Sequence, residues 1–414
     1  RTTANYNHTF NDTHLTNFMG GFELKSSNRK NDSFSGVGYQ YDRGGVPYID
    51  PNFFKKQIQK GTSYYSMGEF YDRYVAFFAT GSYSYLGRYT LNGTIRYDGS
   101  NQLGQSSSAR WLPTWNVSAG WNVTSEKFME PYLKTISNLS FRSTYGLTAS
   151  MGPSNNSTLV LMNKLTDRPY ASELETNMYI RSLANSQLTW EKQYETNIGF
   201  DLGLLKNRIN LSADVYWRNG FDLIGMVKTS GIGGEAYKFA NYADMKSNGF
   251  EFTLTTHNIK NNDFTWTTNI TFAHNKSHIT NLTSFPKMYD LMKDIGGPLQ
   301  GYPVRSLFSM DFKGLNNEGL PTFINEKGEL TVSDIDFQSS ELSHLVYEGS
   351  IDPTITGGFG NTFKYKNWNL NVFLTYQFGN VVRLYPQFKA SYSDLDAHPK
   401  EFFDRWKFVG DEEV

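Results

Sequence analysis

The sequence predicts an all-β protein, a transmembrane antiparallel up-and-down β-barrel, and three observations carry this prediction. Apolar residues recur at every second position in many segments, as at Ile209, Leu211, Ala213, Val215 and Trp217. A helix cannot keep such a row on one side, because its period is 3.6 residues. The positions between are polar, and the predicted strands run to about 9–14 residues, enough to cross a bilayer's hydrocarbon layer when tilted. Short and long connections alternate along the chain, as in membrane barrels with tight periplasmic turns and long external loops.

The composition agrees with this class and excludes several others. Aromatic residues make up 16% of the 414 residues and charged residues only 19%, and the formal net charge is −1. A chain without excess positive charge is not expected to bind nucleic acid by bulk electrostatics. Cysteine is absent from the sequence, so a disulfide framework and a cysteine-bound zinc are excluded within it. No run of 18 apolar residues occurs, which argues against membrane-spanning helices.

About twelve strands are predicted, and their connections fall into two classes. Aromatic residues cluster near the strand ends, which suggests the interfacial girdles of a membrane barrel. A connection of medium length, at 125–137, is predicted to be a short helix on the periplasmic side. The short links are predicted at 11–14, 86–88, 205–207, 259–262 and 366–367, and the long connections at about 28–70, 99–110, 149–188, 219–246 and 278–351.

The alternation of links gives a specific prediction for the last long connection. Residues 304–312 have the pattern of a strand, yet counting them in the barrel would put the short link at 366–367 on the wrong side. Residues 278–351 are therefore predicted to be a single external excursion. It should hold a small hairpin of its own, in which Thr322-Phe323-Ile324 is the returning strand.

No catalytic, metal or cofactor site is predicted, so the protein is not expected to be an enzyme. His274 and His278 are spaced like a zinc motif, but on a strand they lie about 13 Å apart at roughly 3.3 Å per residue. Nucleophile-elbow, P-loop and dinucleotide motifs are absent from the sequence. The acidic pair Asp394 and Asp396 falls in a loop, where solvated charge is a better interpretation than a glycosidase dyad.

One set of residues is a candidate for ligand contact, and a second set is predicted to face the lumen. Tyrosines in the long connections offer large ring surfaces that could stack on a sugar or cover a peptide, although packing between loops is the alternative. These tyrosines are Tyr39, Tyr41, Tyr48, Tyr64, Tyr65, Tyr170, Tyr179 and Tyr237. Polar residues on the strands are predicted to face the barrel lumen, and they are Asn92, Arg96, Asn116, Asn122, Arg142, Asn197, Asp201, Asp214 and Arg218.

Several segments, in order along the chain, resemble the C-terminal barrel portion of the SusC/RagA family of TonB-dependent outer-membrane transporters. They include Trp111-Leu-Pro-Thr-Trp115, Leu188-Thr-Trp-Glu191, Asn197-Ile-Gly-Phe-Asp201 and Asn248-Gly-Phe-Glu251. The resemblance implies a 22-stranded barrel closed by a plug domain, against which lumen-facing residues would pack. Residues 1–414 would then be a partial barrel domain, without the plug, the TonB box and the final strands.

The resemblance also implies a function. It implies TonB-dependent active import of a large nutrient, an oligosaccharide or oligopeptide, across the bacterial outer membrane, with no cofactor. The implied partners are a SusD-like surface lipoprotein, the TonB complex and outer-membrane lipid. Two alternatives stay open: a secreted all-β protein that binds or degrades glycans, and an outer-membrane assembly component with a transporter-like barrel.

Overall fold

The computed structural model describes residues 1–34, 39–41, 44–47, 50–59, 65–103, 107–152, 159–167, 174–232, 236–384, 391–393 and 396–411. Its main feature is one antiparallel sheet of twelve strands. The all-β class, the antiparallel up-and-down arrangement and the predicted number of strands are confirmed.

The strands are of very different lengths, and the helices are short. In chain order the strands are β1 Thr2–Phe10, β2 His14–Phe34, β3 Tyr39–Gln40, β4 Val46–Pro47, β5 Tyr65–Tyr85, β6 Tyr89–Ser100, β7 Trp111–Asn122, β8 Ile136–Ser150, β9 Val160–Asp167, β10 Leu174–Ser182, β11 Glu191–Leu204, β12 Ile209–Lys228, β13 Tyr237–Lys260, β14 Phe264–Leu282, β15 Ser306–Met310, β16 Phe312–Leu315, β17 Pro321–Ile324, β18 Leu330–Thr331, β19 Leu345–Ser350, β20 Ile355–Tyr365 and β21 Trp368–Phe378. The α-helices are α1 Pro51–Gln59, α2 Ser107–Arg110 and α3 Met288–Leu291, and 3₁₀ helices cover Val123–Ser125, Lys127–Tyr132 and Lys400–Asp404. Within the described ranges, no helix has both the length and the apolar character that crossing a membrane requires.

Each strand of the main sheet pairs with the next main-sheet strand along the chain. The order is β1-β2-β5-β6-β7-β8-β11-β12-β13-β14-β20-β21. Tight turns join alternate pairs, and their backbones enter the left-handed region at residues such as Asn11 (φ 51°), Asp12 (φ 55°) and Lys366 (φ 49°). Asparagine and aspartate tolerate this conformation better than most residues, which explains their use at the first turn.

The alternation seen in the sequence separates the two faces of this sheet. Ile198 is the cross-strand partner of Val215, and Val215 in turn is the partner of Phe250. Cross-strand partners lie on the same side of a sheet, so the apolar rows of adjacent strands merge into one apolar face. The exposed fraction is 42% for Val215, 46% for Val372 and 61% for Leu374. This face is therefore an outer surface and not the dry interior of a soluble sandwich.

Several strands are much longer than predicted, so the long connections predicted at 28–70 and 219–246 are partly wrong. Strands β2 and β5 have 21 residues each, and β13 has 24. At roughly 3.3 Å per residue, β13 is about 80 Å long, far more than the ~30 Å hydrocarbon layer. The extensions lose the alternating pattern because outside the membrane both faces of a strand can be polar. The predicted connection 149–188 likewise contains a separate hairpin, β9 with β10.

Residues 283–354 lie between two strands that pair directly with each other, β14 and β20. Within this stretch β15 pairs with β19, and β16, β17 and β18 form a three-stranded sheet. Its centre contains buried Met288, Leu291, Leu307 and Phe308. The strand pattern at 304–312 thus belongs to small separate sheets, and β14 continues to Leu282, beyond the predicted boundary at 278. Its location on the external side of the membrane stays a prediction.

The apolar face gives a direct test of the membrane assignment. Val215→Lys places a charge in the middle of the apolar row, and we expect the free energy of unfolding in phospholipid vesicles to fall by about 2–4 kcal/mol. Thr253→Lys is the matched control, because Thr253 lies on the polar face opposite Ser212 and is exposed. Urea titration of the full-length protein measures both values. Equal losses for the two variants would contradict the assignment of the lipid-facing side.

Candidate functional site

All nine predicted lumen residues lie on one face of the main sheet, opposite the apolar face. The register connects them, since Asn92 pairs with Ser118, Ser118 with Thr144, and Thr144 with Asn197. Asn197 pairs in turn with Tyr216 of β12. The remaining predicted residues are separated from these by even numbers of positions along their strands, namely Arg96, Asn116, Asn122, Arg142, Asp201, Asp214 and Arg218. The assignment of this face to a pore stays a prediction.

Arg142 is the centre of a charged cluster on this polar face. Its guanidinium forms ion pairs with Asp201 of β11 and Asp214 of β12, and its Nε donates to Asp214 Oδ1 at 3.2 Å. Ser212 Oγ donates to Asp201 Oδ1 at 2.7 Å, and Arg142 Nη2 donates to Ser212 Oγ at 3.2 Å. The cluster therefore joins three successive strands, β8, β11 and β12.

The cluster depends on Gly199, which sequence reasoning did not identify as a site residue. Gly199 is the cross-strand partner of both Arg142 and Asp214, so these two side chains meet above it. A Cβ atom at this position would lie 2.3 Å from Asp214 Oδ1 and 2.9 Å from Arg142 Nε. A side chain at position 199 would have to push these two charged groups aside, which glycine avoids. The signal was present in the motif Asn197-Ile-Gly-Phe-Asp201, where glycine takes a polar-face position.

A second group of polar residues continues along the same strands toward the long connections. Arg218 Nε donates to Glu195 Oε2 at 3.0 Å, and the guanidinium carbon lies 4.1 Å from the centroid of the Tyr216 ring. Glu195 was not among the predicted residues, although it lies two positions before Asn197 and therefore shares its face.

A recess of about 670 Å³ lies on the polar face near the long connections, and it is lined by residues from β2 to β8 and by Trp190. One part of its wall is charged, with Arg96 Nε donating to Asp98 Oδ1 at 2.7 Å and Arg96 Nη1 lying 3.8 Å from Glu23 Oε2. Ala76 separates the strands of Glu23 and Asp98, and it is the cross-strand partner of both. Arg96 and Asp98 lie on the same strand, β6, so only Glu23 is reached across β5, and the small side chain of Ala76 leaves room for that contact.

The rest of the recess wall is aromatic and apolar. Tyr74 lines it together with Lys25, whose Nζ lies 5.7 Å from the Tyr74 ring centroid. Trp190 also lines it and belongs to a buried cluster with Leu103, Leu188 and Ile224. Its indole Nε1 donates to the carbonyl of Arg110 at 3.2 Å, which ties this wall to the start of β7. Asn116, one of the predicted residues, lines the same recess.

The predicted tyrosines do not form a single described site. Tyr39 and Tyr41 touch each other, with ring centroids 4.7 Å apart. Tyr65 begins β5, Tyr179 lies on β10 and Tyr237 begins β13, so these three occupy different hairpins. Tyr48, Tyr64 and Tyr170 lie outside the described residues. Their role in ligand contact stays a prediction.

The polar face offers binding groups of both charges, aromatic rings and amides, which suits recognition of a polar ligand. Across the described stretches, no group of three or more His, Asp or Glu side chains has a metal-binding arrangement. An exposed apolar face and a polar face on long antiparallel strands define the class of an integral membrane β-barrel protein. Residues 1–385 match the family model described as TonB dependent receptor-like, beta-barrel, and the chain belongs to this family.

Membership of this family confirms the family predicted from the sequence, the outer-membrane location and the absence of an enzymatic class. The chain is 27% identical over 411 residues to TonB-dependent receptor P3 of Formosa agariphila, covering 92% of this chain and 38% of that protein. It is 31% identical over 216 residues to TonB-dependent receptor SusC of Bacteroides thetaiotaomicron, covering 50% of this chain and 21% of that protein. The chain thus spans less than half of the length of these relatives.

Solved structures agree on the fold. The structure of the RagAB peptide transporter matches with a TM-score of 0.73 at 22% identity, covering 91% of this chain and 40% of that one. The RagAB peptide importer in its open-open state matches with a TM-score of 0.69 at 20% identity, with the same coverage. This similarity supports the arrangement of strands described above.

Gly199 provides a test of the charged cluster. Gly199→Val should separate Arg142 from Asp214 and lower the free energy of unfolding by about 1–3 kcal/mol, as is common when a packed network is forced apart. Gly93→Val is the matched control, since a Cβ atom at Gly93 meets nothing within 4 Å. Urea unfolding of the full-length protein in vesicles measures both. A loss at Gly93 as large as that at Gly199 would indicate a general effect of replacing strand glycines.

Proposed function

We propose that the full-length protein imports a large nutrient, an oligosaccharide or an oligopeptide, across the outer membrane by TonB-dependent transport. The observation that carries this proposal is the recess on the polar face, formed on the side of the sheet away from lipid. It combines Glu23, Lys25, Arg96 and Asp98 with the aromatic ring of Tyr74. Carboxylates and rings bind sugars, and charges of both signs suit the termini and side chains of a peptide.

The relatives support import as the activity. SusC and P3 are TonB-dependent receptors by name, and RagAB is a peptide transporter. A barrel wide enough for such cargo must be closed at rest, so opening it requires energy from outside the barrel. We therefore propose that the TonB complex supplies that energy and that a SusD-like surface lipoprotein covers the external opening. A secreted glycan-binding protein is disfavoured, because the apolar face would be exposed to water.

Uptake by intact cells tests the proposal. Cells producing the full-length protein are offered fluorescent oligosaccharides and oligopeptides that are too large for porins, with and without a functional TonB. We expect accumulation of one substrate class, lost when TonB or the SusD-like partner is deleted. Accumulation that continues unchanged without TonB would contradict the mechanism, and the class that accumulates identifies the cargo.

A variant tests the recess itself. Tyr74→Ala should weaken substrate binding roughly two- to twelve-fold, because an aromatic contact contributes about 0.5–1.5 kcal/mol beyond its buried area. Tyr97→Ala is the matched control, since Tyr97 pairs with Phe77 on the apolar face. Titration with the substrate identified in cells, at equal surface levels of the two variants, measures the effect. Equal weakening by both substitutions would exclude the recess as the binding site.

A further inference from the structure

The link between β7 and β8 exposes three apolar side chains at the end of the sheet where the tight turns lie, which we call the short-link end. The exposed fraction is 58% for Phe128, 59% for Tyr132 and 46% for Leu133. Burial of Val123 and Met129 fixes the two 3₁₀ turns against the sheet, so the neighbouring side chains are directed away from it. An apolar group of this kind on a membrane protein requires a partner that removes it from water.

Glu126 holds this link on the apolar side of the sheet. Its Oε1 accepts hydrogen bonds from Tyr89 Oη at 2.5 Å and from Trp121 Nε1 at 3.2 Å. Tyr89 and Trp121 are cross-strand partners with stacked rings, and they belong to the apolar face. Arg88 Nη1 also lies 3.3 Å from Glu126 Oε2. The link is therefore bent toward the lipid side and away from the polar face.

The electrostatics of Glu126 keep this arrangement intact at neutral pH. The hydrogen bond from Tyr89, and next that from Trp121, lowers the pKa of Glu126 below its ordinary value of 4.5. The side chain is only 11% exposed. The carboxylate consequently stays ionised and remains the acceptor for both rings.

We propose that residues 127–133 are a membrane anchor, with Phe128, Tyr132 and Leu133 inserted among phospholipid headgroups at the periplasmic surface. Two features favour lipid over a protein partner. The exposed group continues the apolar face through Tyr89 and Trp121, and exposed Lys127 and Lys134 flank it, with one exposed acidic residue, Glu130, between them. Rings and apolar side chains between lysines fit a phospholipid interface. Further cations lie at other short links, namely Lys206, Arg208 and Lys366.

Spin-label accessibility tests the anchor. The sequence 1–414 contains no cysteine, so Phe128→Cys, Tyr132→Cys and Lys127→Cys give defined labelling sites in full-length protein with any cysteines elsewhere replaced by serine. The labelled protein is placed in phospholipid nanodiscs, and collision rates with oxygen and with a water-soluble nickel chelate are compared. Labels at 128 and 132 should favour oxygen at least five-fold more than the label at 127. Phe285→Cys is the control, because Phe285 is also exposed and apolar but lies in the 283–354 region.

The possible outcomes distinguish contact of the labels with lipid from contact with water or with protein. Nickel accessibility at 128 and 132 equal to that at 285 would overturn the proposal, since the link would then lie in water. Shielding of both labels from both reagents would also overturn it, because contact with protein would then cover the link. Glu126→Gln gives a second measurement, in which the label at 128 should move toward the values found at 127. Failure of import would not affect these results, since the proposal rests on the membrane location alone.

Discussion

The structure depends on antiparallel pairing along the main sheet, in which every main-sheet strand between the edge strands β1 and β21 pairs with a neighbour on each side. Within a bilayer no water can replace a missing backbone hydrogen bond, so lipid-exposed strands must be paired along their length. The pairing also fixes which side chains meet lipid, since Ile198, Val215 and Phe250 share one row across three strands. A shift of one residue in any pair would exchange the apolar and polar faces of that strand. The same constraint that satisfies the backbone therefore also separates the apolar, lipid-facing side of the sheet from its polar side.

Charged side chains on the polar face follow a common design, in which a small residue lies between the strands that carry the charges. Gly199 lies between Arg142 and Asp214, and Ala76 lies on β5, the strand that Arg96 crosses to reach Glu23. Neighbouring strands are about 4.8 Å apart, so side chains two strands away meet only above a small residue. The recess and the Arg142 cluster thus use one geometric solution. It places polar groups of several strands together without a loop or a helix to carry them.

The sequence was sufficient for the parts of the fold that follow from period-two alternation. Strand number, the antiparallel class and the lipid-facing row at Leu211 and Val215 all come from that single pattern. It failed where both faces of a strand meet water, as in β13, because polar residues there resemble a loop. It also missed Gly199, since the need for a glycine arises from two other strands that are distant in sequence. The nine polar residues share one face by alternation, but only the register shows which of them touch.

The two ends of the sheet are stabilised by different means. At the short-link end, tight turns and the hydrogen bonds of Tyr89 and Trp121 to Glu126 hold neighbouring strands and the β7–β8 link together. At the long-link end, buried side chains from several connections support the extended strands, with Leu188, Trp190 and Ile224 packed together. The recess of about 670 Å³ is walled in part by Met151 and Trp190 from the long connection between β8 and β11, whereas a smaller recess of about 450 Å³ lies beside the tight turn at Asn207. The larger recess, where we propose that ligand binds, is therefore built at the end where the strands extend furthest, and the proposed anchor lies at the opposite end.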